Sequence, residues 1–237
     1  MDLAFVAEIM PRLLSGLPLT LRLAATSIVL GAIVALVLAL AQQLKRPAID
    51  WPIRTYVALF RGTPLLVQIF LIYYGLGQFR PFFQQIGLWG VLREPYWCAV
   101  LALTLNTAAY GSEIFRGALQ SVPEGQIEAA RALGMKRLQE LRLVVLPLAV
   151  RQALPGYGNE IILMVKGTSL ASIVTLMEVT GTAQGIISQT YRAMEVFACA
   201  GAIYLALNFA VTRALAALEY RLSRHLRQPA DAAKARA

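Results

Sequence analysis

The stretch from Leu23 to Gln43 reads LAATSIVLGAIVALVLALAQQ and contains no charged residue. At about 1.5 Å per residue, a helix over this run crosses the roughly 30 Å hydrocarbon core of a bilayer. A segment that spans lipid must satisfy its backbone polar groups internally, which restricts the chain to helices unless it closes into a barrel. The rest of the composition agrees with a membrane solvent. The 237 residues are 58% hydrophobic and 15% charged, against about 25% charged for an ordinary soluble domain. Mean hydropathy is +0.60.

Further apolar runs follow. Ile53 to Gly77 is interrupted by Arg61-Gly62-Thr63-Pro64, Tyr96 to Ser112 ends at Glu113, and Val196 to Thr212 is again uncharged. Leu143 to Met177 is apolar but broken by Pro147, Arg151, Pro155, Glu160 and Lys166. It reads as one span plus a re-entrant or interfacial piece, since broken backbone at membrane depth is tolerated only against protein or a wet cavity. The predicted class is an all-α polytopic membrane protein, a single domain with about five transmembrane helices near 20–43, 53–77, 96–116, 148–170 and 196–216. A loop at 117–146 and a tail at 217–237 complete it.

Lys and Arg set the orientation of such a chain. With the N-terminus outside, fourteen basic residues fall on cytosolic segments and only Arg12, Arg80, Arg93 and Arg192 fall outside. The prediction is an N-terminus outside, a C-terminus in the cytosol, and Arg116 to Arg142 in the cytosol. The net charge of +9 therefore reads as membrane flanks rather than as a nucleic-acid surface, on which basic residues would cluster on one polar face. No cleavable leader is expected, because Asp2 and Glu8, not a basic segment, precede the first long apolar run. Cys98 and Cys199 lie inside apolar stretches, which argues against a disulfide framework or a metal site. No cofactor is implied. His225, the single histidine, reads as a surface residue of a basic helix end that fades into a disordered tail. Trp51, Trp89, Tyr96 and Trp97 sit near span ends and suit interfacial anchoring.

The cytosolic loop reads SVPEGQIEAARALG from Ser121 to Gly134. Ser121 and Glu124 have capping-box spacing, and Pro123 suits a first helical turn. Gly134 is placed to end that helix in a left-handed conformation. A second short helix over Lys136 to Val145 is expected to stop at Pro147. Helix, tight glycine turn and helix together make a docking element.

Glu128-Ala129-Ala130, Gly134 and Leu146-Pro147 resemble the EAA loop of permease subunits of ABC importers. Val144 stands where that family usually has Ile. The resemblance runs along most of the chain. It includes Leu19-Thr20-Leu21, Phe60 to Gln68 (FRGTPLLVQ), Ala108-Ala109-Tyr110, Glu113-Ile114, Arg116-Gly117 and Lys166 to Leu170 (KGTSL). It is similar to the M-type subunits for histidine, lysine-arginine and opines such as octopine and nopaline. The resemblance implies a bacterial inner membrane location, a second permease subunit, two cytosolic ATPase subunits on the EAA loops, and a periplasmic solute-binding protein. It also implies that Glu128, Ala129, Ala130, Gly134 and Pro147 serve ATPase coupling; the lesser alternative for Glu128 is a solvated helix charge.

Ionisable groups within spans are costly and mark candidate functional positions. Glu113, Glu160, Lys166 and Arg61 qualify, with Thr168 and Ser169 making a polar patch after Lys166. A carboxylate there offsets a substrate ammonium or guanidinium, or pairs internally, as Glu160 would with Arg151 or Lys166. Arg61 reads as a structural partner, and Glu178 as a rim or exposed residue of the outer connection. Two other classes remain: a transporter driven by ion gradients, and a membrane enzyme. The chain shows no internal repeat of the kind many secondary transporters carry, no nucleophile–base pair and no Gly-x-x-x-x-Gly-Lys segment. ATP hydrolysis would then belong to another chain.

Overall fold

A computed structural model describes residues 2–222, all helix and connection. The expectations for His225 and for the end of the tail lie outside the described residues. Helix α1, Leu3–Ser15, leads into α2, Leu17–Gln42. The two run on as one helical stretch of 40 residues. The first half was not expected. Asp2, Glu8, Pro11 and Arg12 hide it in the sequence, yet Asp2 caps its N-terminus and Ile9 and Leu13 are buried in a core shared with the last two helices.

Helices α3, Pro47–Gly62, and α4, Leu65–Gln78, form the second apolar run. They meet at 108°, so residues 53–77 do not make the straight crossing that their length suggests. Pro64 supplies no N–H at the break, and Thr63 is extended (φ −118°, ψ 146°). Two short outer helices, α5 (Arg80–Gln85) and α6 (Trp89–Leu92), lead to α7, Pro95–Gln120. This central helix buries fourteen of its residues and packs most extensively against α2. Many of the buried residues on both helices are small, among them Ala24, Ser27, Ala35 and Ala39 on α2 and Ala99, Ala102, Ala108 and Ala109 on α7. Small residues let backbones approach, which is how helices gain dispersion energy where lipid gives no hydrophobic drive.

The loop holds α8, Glu124–Ala132, and α9, Arg137–Glu140. The expected capping box at Ser121 does not form. Pro123 is itself the N-cap of α8, and the Ser121 hydroxyl closes α7 by donating to the Ala118 carbonyl at 2.9 Å while also contacting Gln152. Nor does Pro147 stop the second helix. A π-helical turn, Leu141–Val145, carries α9 into α10, Leu146–Gly167, where Pro147 occupies the first turn. Proline's missing N–H and fixed φ suit that position, and the wider turn just before it relieves the clash with the preceding carbonyl. α10 continues as a 3₁₀ stretch, Thr168–Val174. The chain then turns at Thr175 (φ 66°) into α11, Val179–Thr190, bent by 47° from the preceding helix. The last described element is α12, Ala193–Leu222.

Glu178 departs furthest from expectation. It is fully buried, not exposed on a rim. Its carboxylate caps α11 by accepting from the Gly181 N–H at 2.8 Å and accepts from the Tyr204 hydroxyl at 2.6 Å. The Val179 N–H reaches Thr20 Oγ1 at 3.3 Å. These bonds tie the α1–α2 joint, α11 and α12 together.

Candidate functional site

A helix places side chains three, four and seven residues apart on one face. Along α7 that face carries Asn106, Tyr110 and Glu113. It looks onto the α3–α4 elbow, and α10 brings Glu160 alongside. Tyr110 separates two cavities. One, of 610 Å³, is lined by Arg54, Arg61, Tyr110, Glu113 and Arg116 among others. The other, of 220 Å³, is lined by Leu65, Asn106, Tyr110, Glu160, Leu163 and Met164.

The two acidic candidates differ in what they have left to offer. Glu113 is already matched, with Arg116 bound to its carboxylate at 2.5 and 3.1 Å. With Arg54 and Arg61 on the same walls, the larger cavity is cationic overall. Glu160 is 6% exposed and faces the smaller cavity. The Thr107 hydroxyl and, at longer range, the Arg61 charge bear on its carboxylate. No ion pair joins Glu160 to Lys166 among the described residues. Six positions along an α-helix turn a side chain by about 240°, so the two point to different faces. Among the described residues Arg61 pairs with no carboxylate; it lies over the Tyr110 ring, 5.2 Å from its centre, a cation–π contact.

The remaining candidates lie elsewhere. Lys166 is exposed at the end of α10. Thr168 is fully buried and donates to the Val165 carbonyl at 2.7 Å. Ser169 donates to the Lys166 carbonyl at 2.7 Å. Both hydroxyls serve the 3₁₀ turn, and neither residue lines the two cavities.

One residue that the sequence reading quoted without a role holds the site together. Gln68 is buried, and its amide nitrogen donates to the Phe60 carbonyl (2.8 Å), the Thr63 carbonyl (3.1 Å) and Thr63 Oγ1 (2.9 Å). Its carbonyl accepts from Asn106 Nδ2 at 2.9 Å. The elbow frees backbone carbonyls that lipid cannot satisfy, and Gln68 satisfies them from inside the protein. A polar residue four positions after Pro64, at a break between two apolar runs, was the available signal.

The loop shows the expected turn. Gly134 is left-handed at φ 76°. The N–H groups of Gly134 and Met135 reach the carbonyls of Arg131 and Ala130 at 2.9 and 3.2 Å, the Schellman closure of α8. Ala130 is buried, while Glu128 and Ala129 are exposed. Arg131 clamps Glu140 across the turn at 2.9 and 3.3 Å. The hydrogen bond from Arg131 holds the Glu140 carboxyl below its ordinary range. A depressed pKa contributes stability above the unfolded value and loses it as pH falls through the folded one, so the clamp is intact at neutral pH. Leu133 and Leu138 project from the loop at 78% and 74% exposure.

Comparison with known proteins identifies the family. Residues 27–224 match the family described as binding-protein-dependent transport system inner membrane component. An octopine transport system permease protein of Rhizobium meliloti is 56% identical over 98% of this chain and 96% of its own length. An arginine ABC transporter permease protein of Escherichia coli is 45% identical over 90% of this chain and 95% of its own. The crystal structure of an amino acid ABC transporter with histidines superposes with a TM-score of 0.81 at 35% identity, covering 93% of this chain and 99% of that one. The chain belongs to the inner-membrane components of binding-protein-dependent transport systems, as a permease subunit of an ABC importer.

Proposed function

We propose that the chain forms one side of a path for basic amino acids or opines derived from them, with Glu160 as the carboxylate that meets the solute's cationic group. The buried position of Glu160 on a cavity wall, without a lysine partner, carries this reading. The octopine and arginine systems named among its relatives support it. A guanidinium or ammonium leaving water needs a charged acceptor, and a carboxylate in a partly dry path supplies one. Glu113, held by Arg116, lies further along toward the loop. Lys166 joins the path from the exposed face of α10, with Thr168 and Ser169 shaping the turn after it.

The remaining parts follow the family's logic. A second permease subunit, a copy or a paralogue, closes the path. A periplasmic solute-binding protein delivers the solute, and two cytosolic ATPase subunits hydrolyse ATP. They grip the loop through Glu128, Ala129, Ala130 and Gly134 and through the exposed Leu133 and Leu138. Pro147, at the start of α10, passes the motion into the bundle. The N-terminus is periplasmic and the C-terminus cytosolic, with crossings near 20–43, 96–116, 148–170 and 196–216 and a broken one, bent at the α3–α4 elbow, over 53–77. Reporter fusions after Gln42 and Lys136 are expected to give cytosolic signals, and a periplasmic signal at either overturns the orientation.

Glu160→Gln keeps shape and removes charge. In the assembled importer, uptake of arginine or octopine is expected to fall at least tenfold, roughly the loss of one charge-assisted hydrogen bond. ATPase activity stimulated by the loaded binding protein is expected to change much less. Unchanged uptake removes Glu160 from the path, and preference for a neutral solute such as glutamine overturns the cationic assignment.

A further inference from the structure

A separate cavity of 430 Å³ lies outside the path, where the loop meets the bundle. Its floor is apolar and includes Leu40, Leu119 and Val145. Its rim carries Lys45, Arg131, Arg137 and Glu140. Three cations against one carboxylate leave the rim with a net charge of two positive units. Arg131 is matched by Glu140, while Lys45 and Arg137 have no ion pair among the described residues. Lys45 also holds a left-handed backbone conformation, φ 52°. That conformation is cheap for glycine or asparagine and strained for lysine. A lysine kept at such a cost is a reason to look for what its side chain does there.

An apolar floor under an uncompensated cationic rim at the end of a spanning helix has the chemistry of a phospholipid seat. We propose that this cavity binds an anionic phospholipid, its phosphodiester between Lys45 and Arg137 and an acyl chain over the floor. Basic pockets at helix ends on the cytoplasmic side recruit acidic headgroups in this way. Assigning the lipid to the cytoplasmic leaflet rests on the orientation proposed above; the binding itself does not. The bound lipid would bridge the turn after α2 to α8 and α9, and so would brace the loop against the bundle.

The test uses the full chain assembled with its partner subunits, in nanodiscs of phosphatidylethanolamine doped with phosphatidylglycerol. Lipids retained by the complex are counted by native mass spectrometry. Phosphatidylglycerol is expected to be retained in preference to phosphatidylethanolamine. In the Lys45→Gln, Arg137→Gln double variant its affinity is expected to fall by roughly thirtyfold. Lys45→Arg with Arg137→Lys is expected to keep it, which separates loss of charge from a folding defect. Equal phosphatidylglycerol retention in the Gln variant overturns the proposal. Loss of the ATPase subunits from that variant with lipid retention unchanged also overturns it and assigns the rim to the protein partner. Both leaflets of the disc have one composition, so a failure of the topology assignment leaves this readout untouched.

Discussion

Gly181→Ala is expected to abolish accumulation of the folded protein. Gly181 sits in the first turn of α11, where a Cβ would press directly into the Leu176 carbonyl, closer than two heavy atoms can sit. That carbonyl is backbone in a tight turn and cannot rotate away as a side chain would. The same junction is crowded from the other side. A Cβ at Gly16 would lie 2.7 Å from the Glu178 carbonyl carbon and 2.8 Å from its oxygen. The α1–α2 joint therefore rests on the peptide that starts α11. Relief at Gly181 would have to move the buried Glu178 away from Tyr204 and Thr20, breaking the bonds that close this end of the bundle. Overpacking alone costs about 1–3 kcal/mol, and a buried carboxylate left without its donors adds to that. The measurement is the amount of protein recovered from membranes in mild detergent and its thermal midpoint. Gly185→Ala, in the same helix with nothing within 4 Å of the new Cβ, is the control and is expected to behave as wild type. Normal recovery and midpoint for Gly181→Ala would show that the junction yields.

Gly134→Val is expected to do the opposite: leave the bundle intact and stop transport. Gly134 is left-handed, but nothing lies within 4 Å of a Cβ built there. The cost is therefore conformational, roughly 1–2 kcal/mol for an ordinary residue and more for a β-branched one. The chain can escape it by unwinding the turn, which releases the two closing hydrogen bonds and lets α8 swing relative to α9. Membrane insertion and thermal midpoint should be close to wild type, while uptake in the assembled importer falls at least tenfold. Gly134→Asn is the informative partner. Asparagine enters the left-handed region more readily than other non-glycine residues, so it is expected to restore most of the uptake. Equal transport by Gly134→Val would mean that the angle between α8 and α9 carries no coupling.

What the sequence revealed follows from how local each feature is. The charge-free run of α2 needs no partner to be recognised, because its composition alone excludes water as solvent. Gly134 was legible for the same reason: a glycine after a helical pattern implies a left-handed cap whatever surrounds it. Features that depend on distant chain were misread. Glu178 looks like a surface carboxylate until Tyr204, twenty-six residues on, closes over it. Pro147 looks like a stop until the π-helical turn before it makes room. Ser121 and Glu124 have the right spacing for a capping box, but Pro123 between them sets the helix start two residues later than the box requires. In the candidate path, Glu160 stood out because a carboxylate in an apolar segment is rare. Asn106, Tyr110 and Gln68 are uncharged, and their role became visible only when α7 was laid against the elbow.

The elbow between α3 and α4 also bears on what can power this protein. Where transporters use a sodium gradient, unwound backbone in a broken helix commonly supplies carbonyl oxygens to the cation. Here the Leu59 carbonyl accepts from Thr63 Oγ1 at 2.8 Å, and those of Phe60 and Thr63 accept from the Gln68 amide. An entering sodium ion would have to compete with these donors while sharing its surroundings with the Arg61 guanidinium. Amide nitrogen thus stands where an ion-coupled machine would leave a vacant ligand shell. The break is a joint of fixed valence, suited to being moved from outside by a partner rather than to capturing a driving ion.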